Sequence, residues 1–276
     1  RILAELTALH EANEALTAHA IDLQRSNAEL EQFAYVASHD LQEPLRKVTS
    51  FCQLLQRRYA GQLDERADQY IEFAVDGAKR MQVLINDLLA FSRVGRSAAG
   101  ETGPVSCAAA LAAAQANLEN QLTQSGATVT AGPLPVVSAQ LPLMTAVFQN
   151  LLGNAIKFRG EAPPRVSVTA AQDGTSWVFA VSDNGIGISA EYAERIFVIF
   201  QRLHDRATYP GTGIGLAMCR KIIEYFGGRI WLDTDTGTDT AAEGAGAVFR
   251  FTLPVLPEYP SLRSQPELPQ VQESHG

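Results

Sequence analysis

Two carboxamides, an ammonium, a carboxylate and two glycine clusters stand out in the second half of this chain as residues whose spacing could do chemistry. Asn150, Asn154 and Lys157 fall at i, i+4 and i+7, so a helix through them gathers two amides and a cation on one face. Carboxamide oxygens can complete the shell of a magnesium ion that also holds phosphate oxygens, and the ammonium can neutralise those phosphates. An ordinary solvated helix face would carry the same three residues. Asp183-Asn184-Gly185-Ile186-Gly187 follows an apolar, strand-like run ending at Ser182. Its carboxylate could accept a hydrogen bond from an exocyclic amine while the glycines admit a flat ring, although a plain Asn-Gly turn explains the residues equally well. Gly211-Thr212-Gly213-Ile214-Gly215 opens a helix, where main-chain N–H groups and the helix dipole suit phosphate. A dinucleotide-binding turn is excluded, because the spacing is G-x-G-x-G and a long loop precedes it where a strand would be needed. That loop, with Phe197, Phe200, Arg202, His204 and Arg206, is long enough for a mobile lid over a nucleotide.

One histidine in the first half has a notable setting. Ile2, Leu9, Leu16, Leu23, Leu30 and Ala37 recur every seven residues, and Leu6, Asn13, Ala20, Asn27, Ala34 and Leu41 follow each by four. This heptad seam predicts a parallel two-stranded coiled coil, since a buried Asn pairs best with its symmetry mate; a single amphipathic helix packed on its own domain is the alternative. The register places His39 at an f position, facing water. Asp40 follows at once, and Pro44 predicts a bend in a helix that otherwise continues through Leu45, Val48, Phe51 and Leu55. A bend beside an exposed imidazole is a candidate working site. A second helix is expected from Ala67 to Phe91, capped by Asp64 after a turn at Gly61, and two such hairpins from a parallel dimer would close a four-helix bundle.

The elements that must position the second-half residues come after a Gly-, Ser- and Ala-rich linker from Gly95 to Pro104. The pattern predicts an Ala-rich helix from Cys107 to Gln124, strands near Val129 and Val136, and a helix from Leu141 to Phe158. Strands are expected over Arg165–Ala171, Trp177–Ser182, Gly228–Asp233 and Ala247–Leu253, with a helix over Ile214–Phe226. Helices alternating with antiparallel-compatible strands make an α/β sandwich. The stretch from Asp233 to Asp239 mimics a calcium loop, but its glycine is misplaced and Gly244 stands where the closing Glu belongs, so it reads as an acidic hairpin tip.

Composition narrows the partners. Lys and Arg total 22 against 30 Asp and Glu, a formal charge of -8 that argues against a nucleic-acid surface. The longest uncharged apolar run is the eight residues Cys107–Ala114, far below the roughly 20 a membrane-spanning helix needs. Three cysteines without a C-x-x-C pair suggest neither a disulfide framework nor a zinc site, and point to a cytoplasmic location. The chain opens at Arg1 inside a helical pattern, which reads as the C-terminal part of a longer protein with its sensor upstream.

Taken in order, Ser38-His39-Asp40-Leu41-Gln42-Glu43-Pro44, Asn150 to Phe158, Asp183 to Gly187, Phe197 to Phe200 and Gly211 to Gly215 resemble the histidine, asparagine, glycine and phenylalanine boxes of sensor histidine kinases of two-component systems. The wording is most similar to the output modules of bacterial phytochromes. Gly244 to Phe249 resembles a further glycine box, with Val248 where Thr is commoner. The resemblance implies an ATP-dependent protein-histidine autokinase that passes the phosphoryl group to an Asp of a response regulator receiver domain. It implies His39 as phosphoacceptor, Asp40 as its orienting residue or general base, Asn154 with Asn150 as magnesium ligands, and Lys157 on the phosphates. Asp183 would read adenine, and Gly185, Gly187, Gly211, Gly213 and Gly215 would shape the lid. The implied organisation is a coiled-coil signalling linker (1–31), a dimerisation and phosphotransfer hairpin (32–95), a linker (96–104), a catalytic ATP-binding domain of the gyrase and heat-shock chaperone type (105–256) and a disordered tail (257–276). One departure is Glu43, which stands where many such kinases have the Thr or Asn that places a hydrolytic water, leaving phosphatase activity open. An ATPase of the same superfamily and a dimeric scaffold without kinase activity are the competing readings.

Overall fold

The computed structural model describes residues 2–95, 102–203, 209, 211–234 and 246–256; within 2–39 only some side chains are described, and that of His39 is not among them. The expected tail, the lid residues 204–208 and the acidic tip beyond residue 234 lie outside the described residues.

Helix α1 (Ile2–Tyr59) runs through Pro44 without a break. Gly61, in a left-handed conformation at φ 69°, turns the chain, and α2 (Glu65–Arg93) returns antiparallel. Asp64 caps α2 by accepting from the Ala67 N–H at 2.8 Å, and Asp68 Oδ2 accepts from the Gly61 N–H at 3.0 Å, so turn and helix start are locked together. Leu45, Val75, Ala78 and Leu89 are buried between the two helices, and Gln42 Nε2 donates to Asn86 Oδ1 at 2.9 Å. Every described seam position of α1 stays exposed, from Leu16 at 68% to Leu41, Val48, Phe51 and Leu55.

Beyond the hairpin, β1 (Gly103–Ser106) pairs antiparallel with β3 (Val136–Ala139). It begins within the stretch expected to be linker. Strands β2 (Thr128–Ala131), β4 (Arg165–Asp173), β5 (Ser176–Asp183), β6 (Ile230–Leu232) and β7 (Val248–Pro254) form one sheet in the order β2-β4-β5-β7-β6. Its pairs are antiparallel except β2 with β4, which is parallel, because α5 and the loop after it carry the chain back across the sheet. The Ala-rich helix is broken into α3 (Cys107–Asn117) and α4 (Glu119–Ser125). Local propensity gives no reason for that break; Leu118 turns into the core and Asn117 Nδ2 reaches Gln149 Oε1 at 2.9 Å, so tertiary contacts decide it.

Helices α5 (Leu141–Lys157) and α6 (Gly215–Tyr225) pack on the sheet to complete an α/β sandwich. Phe179 and Phe251 stack at 4.5 Å, and Phe148 of α5 meets Phe251 edge-on at 6.2 Å. Because α5 buries Met144, Val147, Phe148, Leu151, Leu152 and Ala155, its remaining face is left to Asn150, Asn154 and Lys157.

Candidate nucleotide-binding site

A cavity of about 640 Å³ opens along that polar face of α5. Asn150, Asn154, Lys157, Asp183, Gly187, Gly211, Gly213 and Gly215 all line it, so residues spread over some 65 positions converge on one space. Gly185 does not line it. It stands behind the wall, where its N–H donates to Asp183 Oδ1 at 2.8 Å, and Ala247 N–H donates to the same oxygen at 3.1 Å. Burial pushes the Asp183 carboxyl up from its ordinary value, while these two N–H groups pull it partly back. The arrangement is a fixed acceptor at the bottom of a cavity, the chemistry an exocyclic amine needs.

At the other end the glycine loop lies directly on the amide and ammonium of α5. A Cβ on Gly215 would stand 2.6 Å from Asn150 Oδ1, and one on Gly211 would stand 2.6 Å from Lys157 Nζ. Gly213 takes φ 77°, and its carbonyl accepts from the Phe200 N–H at 3.0 Å. Asn150 Nδ2 donates to the Ala146 carbonyl at 2.9 Å, which aims its oxygen away from its own helix toward that loop. Two neutral carboxamides at a cavity wall fit a hard divalent ion that takes its remaining oxygens from phosphate and water.

Arg202, named in the loop expected to cover a nucleotide, lines the cavity, and so does Asp87, which the sequence did not single out. Burial and the neighbouring Arg202 charge both hold the Lys157 ammonium below its ordinary range. Among the described residues no carboxylate makes an ion pair with either cation, so together they favour an anion in the cavity. Lys and Arg so far apart in sequence give no spacing signal; their proximity exists only once the loop folds. Ile196 and Phe197 are buried, with Phe197 against Phe249 at 6.4 Å, so the first part of the expected lid belongs to the core. Asp87, Ala90 and Val94 bring α2 into the cavity wall, and Thr212 Oγ1 donates to Asp87 Oδ2 at 2.7 Å.

His39 and Asp40 lie on α1, and Asp40 does not line the cavity. Asp40 is exposed, and the Gln42–Asn86 bond sets this level of α1 beside the Asp87 level of α2. Burial pushes the Cys107 and Cys219 thiols up to about 12, so neither is a competing nucleophile.

Residues 29–97 match the His Kinase A (phospho-acceptor) domain, and residues 140–257 match the histidine kinase-, DNA gyrase B- and HSP90-like ATPase domain. The chain belongs to the sensor histidine kinases. Its relatives include cyanobacterial phytochrome A of Nostoc sp., 50% identical over 90% of this chain and 31% of that protein. Phytochrome-like protein Cph1 of Synechocystis sp. is 46% identical over 88% of this chain and 31% of that protein. The chain therefore spans less than a third of either curated relative. Full-length ShkA in complex with AMPPNP aligns with a TM-score of 0.60 and 28% identity, over 81% of this chain and 45% of that one. Histidine kinase ThkA, solved with response regulator protein TrrA, shares the fold at a TM-score of 0.54 and 22% identity, over 86% of this chain and 64% of that one. His39 falls in the first matched segment, and Asn150, Asn154, Lys157, Asp183 and the 211–215 loop fall in the second.

Proposed function

We propose that the protein this chain belongs to is an ATP-dependent histidine autokinase in which His39 receives the γ-phosphoryl group and passes it to an aspartate of a response regulator. The observation that carries this reading is the wall of the cavity itself: α2, half of the hairpin that bears His39, closes the same space that holds Asn154, Lys157 and Asp183. The AMPPNP held by the similar ShkA supports an adenine nucleotide as occupant.

Asp183 accepts from the adenine amine. Lys157 and Arg202 hold the phosphate oxygens, with the main-chain N–H groups of the 211–215 loop around them. Asn154 and Asn150 would hold magnesium, which supplies charge neutralisation on the phosphates when bound. The neutral His39 imidazole attacks the γ-phosphorus in line; the bond to the β–γ bridging oxygen breaks, ADP departs, and Asp40 takes the proton that the imidazole loses. Transfer to the receiver carboxylate then breaks the new phosphorus–nitrogen bond and restores the histidine. Glu43 pairs with Lys47 at 2.9 Å on the exposed side of α1, so a carboxylate and not an amide stands at the position expected to place a hydrolytic water. This favours net kinase over phosphatase activity.

The active form is a parallel homodimer, because the seam of α1 would otherwise leave Leu16, Val48, Phe51 and Leu55 in water. A cytoplasmic setting fits the ATP requirement and three free cysteines, and among the described residues no helix is long and apolar enough to cross a membrane. The test is incubation of the chain and its His39→Gln variant with magnesium and γ-labelled ATP. Label that acid removes and base spares, in the parent alone, is the expected result; equal label in both variants overturns the assignment of His39.

A further inference from the structure

The nucleotide cavity is walled on one side by a carboxylate from the other domain. Asp87 of α2 accepts from Thr212 Oγ1 at 2.7 Å, and Thr212 stands between Gly211 and Gly213 in the loop that lies on Lys157 and Asn150. The same junction is close at two further points: Lys221 Nζ of α6 sits 4.5 Å over the Phe91 ring of α2, and a Cβ on Gly95 would stand 3.6 Å from the Tyr225 ring. At this end of α2 the hairpin joins the sandwich core, with Val94 buried in it and Phe91 packed against it, whereas Leu45, Val75 and Ala78 are buried apart from that core. The contact is therefore an apolar anchor at Phe91 and Val94 with one polar bond, Asp87 to Thr212, at the mouth of the phosphate end; Asp183 is the other described carboxylate lining the cavity, held away by Gly185 and Ala247.

A triphosphate on the 211–215 loop would bring several negative charges against Asp87. Like charges in a partly shielded site repel, and that repulsion opposes the hydrogen bond that holds Asp87 beside the loop. Asp87 is also next to Asn86, whose amide binds Gln42, three residues from His39. Asp87 thus stands on α2 beside the level of α1 that carries His39. We propose that the Asp87–Thr212 hydrogen bond is a latch that holds the glycine loop and its domain on α2 in the nucleotide-free chain and that the incoming triphosphate opens by charge repulsion. The latch rests on the reading of the cavity as a nucleotide site. It makes release of the catalytic domain from α2 a consequence of loading, so that an empty domain stays parked while a charged one is free to reach His39.

The test compares the full chain with Asp87→Asn, which keeps an acceptor for Thr212 but removes the charge, and with Thr212→Val, which keeps the charge but removes the donor. Calorimetric titration with magnesium AMPPNP and, separately, AMP reads the charge effect. Asp87→Asn is expected to bind AMPPNP about fivefold more tightly with AMP affinity unchanged, the order expected for one charge removed from a partly screened site. Nitroxide labels at Lys79→Cys and Gln172→Cys in a Cys52→Ser background, diluted with unlabelled chain, read the docking distance. That distance is expected to lengthen on AMPPNP addition in the parent and to be long without nucleotide in Thr212→Val. Unchanged or weaker AMPPNP binding by Asp87→Asn, or a distance that AMPPNP leaves unaltered, overturns the latch while leaving the nucleotide reading intact. Failure of the parent to bind AMPPNP at all overturns the nucleotide reading, and the latch with it.

Discussion

In the α/β sandwich Phe148, Phe179 and Phe251 are fully buried, whereas in the hairpin Phe51 and Phe73 keep 66% and 68% of their surface in solvent. The two halves use the same residue type in opposite ways. The sandwich closes a contiguous core between its sheet and helices α5 and α6, so it holds a cavity of fixed shape without help. The hairpin buries little beyond Leu45, Val75, Ala78 and Leu89, and its remaining apolar stripe calls for a second copy. Precision is built into the half that holds the cavity, and under the proposed function the loosely packed hairpin is the half free to change its packing. The first prediction breaks this contrast at its firmest point. Phe148→Ala removes a fully buried ring from between α5 and Phe251 and should cost about 3–5 kcal/mol. Urea titration followed by Trp177 and Trp231 fluorescence should show that loss independently of protein concentration. A cost under about 1 kcal/mol would mean the sandwich is not the tightly packed half.

Phe51→Glu tests the other side. Removing two copies of a ring from the proposed dimer seam and adding two carboxylates should raise the dimer dissociation constant at least about 100-fold, since one buried Phe is worth about 1.5–3 kcal/mol. Sedimentation equilibrium reads it. Because Phe51 touches no core of its own chain, the urea transition of the sandwich should not move. A mutant that stays dimeric would transfer the interface to the Tyr70 and Phe73 side of α2.

The same contrast explains what could be read before any fold was known. Helix α5 and its Asn150, Asn154 and Lys157 face are legible from periodicity, because burial of one stripe leaves the other to polar residues. Asp64 and Gly61 announce the turn and start of α2 by local chemistry alone. The break at Leu118 is not legible, because nothing local opposes helix there and the choice is made by contacts with the core and α5. The parallel β2–β4 pair escapes for the same reason, since alternation along a strand does not reveal its neighbour's direction. In the site, the motif glycines mark the loop, but Gly185 and Gly187 look alike in sequence and differ in the fold, one behind Asp183 and the other in the wall. Arg202 comes with the loop expected to cover a nucleotide, whereas Asp87 reaches the cavity only through tertiary structure, and no spacing foretells it.

A third prediction sharpens the comparison through pH. Burial raises the Asp183 carboxyl above its ordinary value, and in the proposed function adenine needs its ionised form as acceptor. As pH falls through that raised value the acceptor is lost, so ATP affinity should begin to drop at a higher pH than an ordinary Asp would give, by up to about tenfold per pH unit below it. Stability of the ligand-free sandwich should move the other way. A carboxyl raised in the folded state binds its proton more tightly there than when unfolded, so acidification through the raised value relieves the folded state. Isothermal titration and urea melts at matched pH values separate the two signs, and Asp183→Asn should flatten both. Parallel movement of affinity and stability would mean that another group controls the site.

The smallest expected effect lies at the start of α2. Asp64→Ala removes the acceptor of the Ala67 N–H and should cost about 1 kcal/mol, the usual worth of an N-cap. In a molecule with a single cooperative core that cost would spread over every amide. Here the hairpin meets the sandwich around Asp87, Phe91 and Val94, at the end of α2 opposite Asp64, so the loss should stay in the hairpin. Native-state hydrogen exchange should quicken about fivefold at the first turn of α2, which is what 1 kcal/mol gives, while α5 amides keep their protection. Equal acceleration in α5 would show that the seam couples the halves more strongly than its few contacts suggest. The latch at Asp87 would then have to be read as part of one folding unit, with less freedom to release the catalytic domain on its own.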